Sequence, residues 1–159
     1  MKVVQKSILS ETEKKKIWQL RNNEYPLQLG SKTFQDFEMY LDNLKNLKHF
    51  FLLNQENEIK GWAFTFFRND ENWFGFMIDS QIQRKGYGTF LLEEMKNNFD
   101  DVNGWVIDHE NDKKQNGENY KSPLLFYIKN GFKVFSDFRI ENEIISAVKI
   151  NWKKKEIIK

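Results

Sequence analysis

The run Gln83-Arg84-Lys85-Gly86-Tyr87-Gly88-Thr89 carries the most readable chemistry in the chain. Gly86 and Gly88 remove side chains where a ligand must approach the backbone, and they permit positive φ. The apolar run Trp73 to Ile78 precedes them, and a helix-like segment from Thr89 to Asn98 follows. Strand, tight glycine turn and helix start, in that order, leave backbone N–H groups without partners and point them outward. Such a cradle accepts an anion, most often a phosphate or pyrophosphate.

The rest of the chain supplies a scaffold for that loop. Residues 2–9, with Val3, Val4, Ile8 and Leu9, read as a first strand. Ser10 and Glu13 match a capping box, and Ile17 and Leu20 continue at helical spacing toward Asn23. Tyr25-Pro26 and Gly30 mark a loop. Thr33 to Leu44 reads as a second helix, with Phe34, Phe37, Tyr40, Leu41 and Leu44 on one stripe. His49 to Leu53 is a continuous apolar run, as in a buried strand, and His49 reads as structural. Ile59 to Phe67 and Trp73 to Ile78 extend it into a meander, with turns at 54–57 and 68–71. After the glycine loop and its helix, Gly104 to His109 reads as a strand and 110–121 as a polar loop without regular structure. Ser122 and Pro123 predict an N-cap and first helical residue, and Gly131 the residue just past that helix. Phe132 to Ile140 and Ile144 to Trp152 form a final hairpin turning at 141–143. The order is β-α-α-β-β-β-α-β-α-β-β, an α/β (α+β) fold with a mixed sheet covered by helices.

Composition narrows the function classes. A chain of 159 residues is one ordinary domain, placed at 1–152 with a basic tail at 153–159. Fifteen Phe, five Trp and five Tyr under a Lys-, Asn- and Glu-rich surface imply an aromatic core rather than disorder. The formal charge of +2 gives no sign of a nucleic-acid partner or a polybasic membrane contact. The absence of cysteine excludes disulfides, thiolate metal sites and a Cys nucleophile. No apolar stretch reaches the roughly 18 residues of a membrane helix. Met1 to Lys6 lacks the apolar core of a signal peptide, so a cytoplasmic location is expected.

Two signatures within this order resemble the GNAT superfamily of acetyl-CoA-dependent N-acetyltransferases. The first is Gln83-Arg84-Lys85-Gly86-Tyr87-Gly88, preceded by the alternating apolar pair Phe76 and Ile78. The second is Phe126-Tyr127-Ile128-Lys129-Asn130-Gly131-Phe132, an aromatic–Tyr pair ending a helix before Gly-Phe. Ser80 stands where Pro is frequent in the family. Other phosphate loops fit less well. No Lys-Ser/Thr follows the glycines as in a Walker loop, and Leu91 replaces the third Gly of a dinucleotide fingerprint.

The resemblance implies a mostly antiparallel sheet of about seven strands flanked by about four helices, splayed in a V between strands 4 and 5. It implies acetyl-CoA as co-substrate, no metal, and a small-molecule or peptide amine as acceptor, in a monomer or homodimer. N–H groups of Gln83, Arg84, Lys85, Gly86, Tyr87, Gly88 and Thr89 would hold the pyrophosphate, with added charge from Arg84 and Lys85. Met77, Ile78 and Asp79 would receive the pantetheine arm by strand-like hydrogen bonds, which depend on main-chain groups rather than side chains. Asn111 and Asn119 are alternative cofactor contacts; Asn119 is carried forward. Tyr127 would be the general acid toward the leaving thiolate. His109 and Glu110 are the candidate bases, with Asp79 and Asp108 nearby; alternation places Asp108 and His109 on opposite strand faces. The acceptor side would be built from Arg21 to Lys32, where Glu24 reads as a solvated carboxylate, and Tyr120 is a possible cap. A non-catalytic acyl-CoA sensor on the same fold is the alternative.

Overall fold

The computed structural model describes residues 1–156. Seven strands form one sheet: β1 (Lys2–Lys6), β2 (Lys45–Leu53), β3 (Ile59–Arg68), β4 (Glu71–Ile78), β5 (Asp101–Val106), β6 (Lys133–Glu141) and β7 (Ser146–Lys153). Four α-helices accompany them: α1 (Glu11–Glu24), α2 (Phe34–Asp42), α3 (Tyr87–Lys96) and α4 (Leu124–Lys129). The strand order is β1-β2-β3-β4-β5-β7-β6, antiparallel except between β4 and β5.

The sheet is wrapped on both faces by the patterns the sequence carries. On one face Phe37 and Leu41 of α2 and Ile17 and Leu20 of α1 pack on Trp62, Phe64 and Met77. On the other, Leu91, Leu92 and Met95 of α3 pack with Phe74, Ile78, Val102 and Tyr127. Each of those fully buried leucines contributes about 2 kcal/mol of apolar burial. His49 is buried under the first face, which keeps it neutral, and its Nδ1 accepts from Trp62 Nε1 at 3.0 Å.

Local signals set several boundaries. Ser10 and Glu13 form both halves of the capping box on α1. Thr33 caps α2. Helix α4 ends in a Schellman motif, with Gly131 at φ 89°, Gly131 N–H on Ile128 O and Phe132 N–H on Tyr127 O.

Five expectations shift. The first strand stops at Lys6, and Ile8 is 88% exposed, because the chain turns there to reach the α1 cap. Strand β5 runs from Asp101 and ends at Val106, so Asp108 and His109 lie beyond it and strand alternation does not govern them. The 110–121 segment is not structureless. Lys113 pairs with Asn119 and Pro26 with Lys114, so a small hairpin docks on the link after α1. At α4, Pro123 takes the cap position while the Ser122 hydroxyl accepts from Leu124 N–H and donates to Ile107 O. Finally, β7 continues through Lys153, and Lys154 N–H bonds Asp100 O, so the basic run begins inside the sheet. Residues 157–159 of the expected tail lie outside the described residues.

Candidate active site

The site starts where β4 and β5 part. They share one parallel bridge, Trp73 to Asn103, and no other. Beyond it β5 follows β7, while β4 stays with β3. The direction of the free β4 groups follows from register. Asp79 N–H donates to Lys60 O at 2.9 Å, so that pair is a hydrogen-bonded one in the antiparallel ladder. By alternation Met77 also turns its main chain to β3, whereas Phe76 and Ile78 face the opening. Two contacts agree: Ile78 O accepts from Gln83 Nε2 at 3.0 Å, and Phe76 O accepts a long 3.5 Å bond from Tyr25 OH. Of the three expected strand contacts, Ile78 therefore presents its main chain to the cleft, and Met77 and Asp79 do not. Phe76, which periodicity marked only as apolar, does. The Asp79 carboxylate accepts from Gln81 N–H and caps a single helical turn at Ser80–Ile82.

The glycine loop follows that turn. Arg84 and Gly86 both adopt left-handed φ, 65° and 84°. Positive φ at Arg84, which carries a Cβ, marks a backbone held in a special shape. Alternating such residues makes successive N–H groups converge. Among the described residues no acceptor takes an N–H from Gln83 through Thr89; the first helical bond is Phe90 N–H to Gly86 O. A Cβ at Gly86 would meet nothing within 4 Å, so the space beside it is open. One at Gly88 would come within 3.3 Å of the Phe126 ring, so this glycine lets α3 close on α4. Arg84 and Lys85 are exposed, and neither is ion-paired among the described residues. Open space, orphan donors and unpaired cations at a helix start suit a pyrophosphate.

Tyr127 of α4 is buried against β4, beside Phe74 and Phe76. Its ring packs edge-on against Phe74 and Phe126 and against Phe132, with centroids 5.7, 5.2 and 5.4 Å away. Its hydroxyl makes no hydrogen bond among the described residues, yet it is not one of the polar atoms sealed from solvent. Burial, with the nearby hydroxyls of Tyr25 and Tyr120, pushes its pKa well above the ordinary phenol value. It therefore stays protonated at working pH.

The candidate bases are less free. His109 Nδ1 accepts from Asn111 N–H at 3.1 Å, leaving the proton on Nε2, which faces Asp112 Oδ2 at 3.9 Å. Glu110 is exposed and has no partner among the described residues. Asp108 forms a bidentate pair with Arg139 (2.7 and 3.0 Å), and these hydrogen bonds hold its carboxyl below the usual range. Asn111 gives only its backbone N–H to His109, whereas the Asn119 side chain is held by the Lys113 ammonium within the hairpin.

The side expected to take the acceptor is built from distant segments. Glu24 is not a solvated carboxylate: it is buried, accepts from Ser80 N–H at 2.6 Å and pairs with Lys114 at 3.2 Å. It so ties α1 to the turn before the glycine loop and to the hairpin. A cavity of about 270 Å³ opens there, lined by Asn23, Glu24, Asp79, Gln81, Lys114 and Gln115. Tyr120 meets Tyr25 edge-on with centroids 6.5 Å apart, so Tyr120 belongs to this wall. Spacing marked Phe76 only as an apolar strand position and did not join it to Tyr25, because their contact links residues some fifty positions apart.

Comparisons with known proteins agree with this geometry. The sequence matches the acetyltransferase (GNAT) domain family over residues 46–134, which spans β2 through the start of β6. A search of curated proteins gives no match. Among solved structures, the aminoglycoside 6'-N-acetyltransferase from Enterococcus faecium superposes with a TM-score of 0.70 at 13% identity, over 96% of this chain and 97% of that one. The spermidine N-acetyltransferase from Vibrio cholerae, in complex with CoA and spermine, gives 0.68 at 15%, over 95% of each. A phosphinothricin acetyltransferase from Sinorhizobium meliloti, in complex with AcCoA, gives 0.67 at 12%, over 96% and 89%. At such identities these likenesses speak for the fold; the family match covers more than half of the sequence. The chain belongs to the GNAT family of acetyltransferases.

Proposed function

We propose that the protein transfers the acetyl group of acetyl-CoA to a primary amine of a small molecule or peptide, by direct attack with both bound. The observation that carries this is the row of unclaimed N–H groups at 83–89, set at the end of a β4 edge whose Phe76 and Ile78 main chain faces a splay. The loop residues Gln83 to Thr89 would hold the pyrophosphate, with Arg84 and Lys85 as flanking charge. The free N–H groups of Phe76 and Ile78 would pair with the pantetheine amides as a further strand does. Structural neighbours crystallised with CoA or AcCoA support the cofactor assignment.

The amine nitrogen forms the C–N bond as the C–S bond breaks, so the nitrogen must lose a proton and the sulfur gain one. Tyr127, kept protonated by burial, would donate a hydrogen bond to the developing thiolate. With His109 Nδ1 engaged by the backbone, deprotonation of the amine falls to water, or to Glu110 through water. The chain has no cysteine, which excludes a cysteinyl acetyl-enzyme.

A non-catalytic acyl-CoA sensor is the second reading, favoured by the engagement of His109 Nδ1 by the backbone and of Asp108 by Arg139. Two measurements separate them. Acetyl-CoA should raise the melting temperature, and free thiol should appear with a suitable amine. A thermal shift without thiol release across amine panels would leave the sensor; no shift at millimolar acetyl-CoA would sink both.

A further inference from the structure

Arg21 belongs to the stripe Ile17, Leu20, Arg21 and Glu24, the buried residues of α1. It is only 9% exposed. Its side chain makes no hydrogen bond or ion pair among the described residues, and its Nε and Nη1 are sealed from solvent without an acceptor. The nearest acid on the stripe, Glu24, is already committed to Ser80 and Lys114. What holds the guanidinium is aromatic: its central carbon lies 4.0 Å from the Tyr40 ring centroid and 5.7 Å from that of Tyr25.

Two cation–π contacts offset only part of the cost of stripping a guanidinium of water. A buried guanidinium with donors to spare calls for an anionic partner. Nη2, the guanidinium nitrogen not sealed from solvent, is where a carboxylate would reach it. Its location says whose carboxylate. Tyr25, on which it stacks, reaches Phe76 O on the open edge of β4 and meets Tyr120 from the hairpin. Arg21 thus stands one aromatic ring from the edge that faces the splay, on the acceptor wall.

We infer that Arg21 receives a carboxylate of the acceptor, so the substrate is a carboxylate-bearing amine of the α-amino-acid type. This rests on the acetyl-transfer reading above. A polyamine or aminoglycoside, all cation, would meet repulsion from Arg21 at the same place.

The test is a thiol-release assay on matched pairs: lysine against cadaverine, phenylalanine against phenethylamine, histidine against histamine. The inference expects kcat/KM at least tenfold higher for the acid in the preferred pair, and the preference lost in Arg21→Met while the Kd for acetyl-CoA is unchanged. Equal or better turnover of the decarboxylated amines overturns it while leaving acetyl transfer intact. Should Arg21→Met fail to fold, calorimetry on the wild-type protein with CoA present decides. N-acetylated acids should bind at least tenfold tighter than the matching N-acetylated amines, and equal binding overturns the inference. If CoA binds but no amine releases thiol, acetyl transfer itself has failed, and binding of the free amino acids against the free amines to the CoA complex still settles Arg21.

Discussion

The two walls of the cleft are made differently. The wall we assign to the cofactor is main chain: the Phe76 and Ile78 edge and the N–H groups of Gln83 to Thr89, shaped by positive φ at Arg84 and Gly86. The wall we assign to the acceptor is side chain: Arg21, Glu24 and Tyr25 from α1 and its end, Tyr40 from α2, and Lys114 and Tyr120 from the hairpin. A main-chain wall recognises what every acyl-CoA shares and tolerates exchange of most side chains. A side-chain wall fixes one acceptor, and each of its members is exposed to a single substitution.

That contrast predicts which changes separate binding from turnover. The largest effect is expected where the walls meet. Tyr127→Phe should lower kcat by about 10² or more, the scale of a general acid, with little change in the Kd for acetyl-CoA. A parallel loss of CoA affinity in calorimetry would mean that the ring, not the hydroxyl, matters.

Next in size is a pH effect in the core beneath α1. Burial pushes His49 down to about 4, below its ordinary value. The unfolded chain therefore binds this proton more readily, so stability is fully present above about pH 6.5 and falls as pH drops toward 4. The loss is on the order of 3 kcal/mol. Urea melts between pH 7 and 4 should show it in the wild type and a flatter profile in His49→Gln. Equal slopes would remove His49 as the cause.

A smaller effect should come from Glu24→Gln, at about 2 kcal/mol of stability, since Ser80 N–H keeps an acceptor but Lys114 loses its counter-charge. Its functional signature should be a raised KM for the amine with the acetyl-CoA Kd within twofold. Equal weakening of both would show that the walls are not independent.

The same contrast explains what the sequence disclosed. The glycine loop, the capping box at Ser10 and Glu13, and the Gly131 helix stop are local, and local spacing encodes them. The succession of seven strands and four helices along the chain was legible for the same reason, most strands being apolar runs between turns, but the place of β7 between β5 and β6 was not. The 110–121 hairpin was not, because its pairing partners are polar and its dock on Pro26 and Leu27 lies some ninety residues away. Glu24 looked solvated since nothing near it in sequence announces Ser80 or Lys114. Arg21 sat in a helical register that charge alone would have placed outside. Direction along β4 also escaped: alternation separates Ile78 from Met77 and Asp79 only once the Lys60 pairing is known.

The main-chain origin of the cofactor wall can be tested on its own. Calorimetry would compare acetyl-CoA with S-acetylpantetheine, which lacks the pyrophosphate, on the wild type and on Gly86→Val. A β-branched residue is strained at φ +84° but meets no neighbour there, so the fold should survive. The expected result is acetyl-CoA binding at least 100-fold tighter than S-acetylpantetheine in the wild type, with most of that advantage lost in Gly86→Val and S-acetylpantetheine binding unchanged. Equal affinities for the two thioesters in the wild type would contradict a pyrophosphate site at residues 83–89.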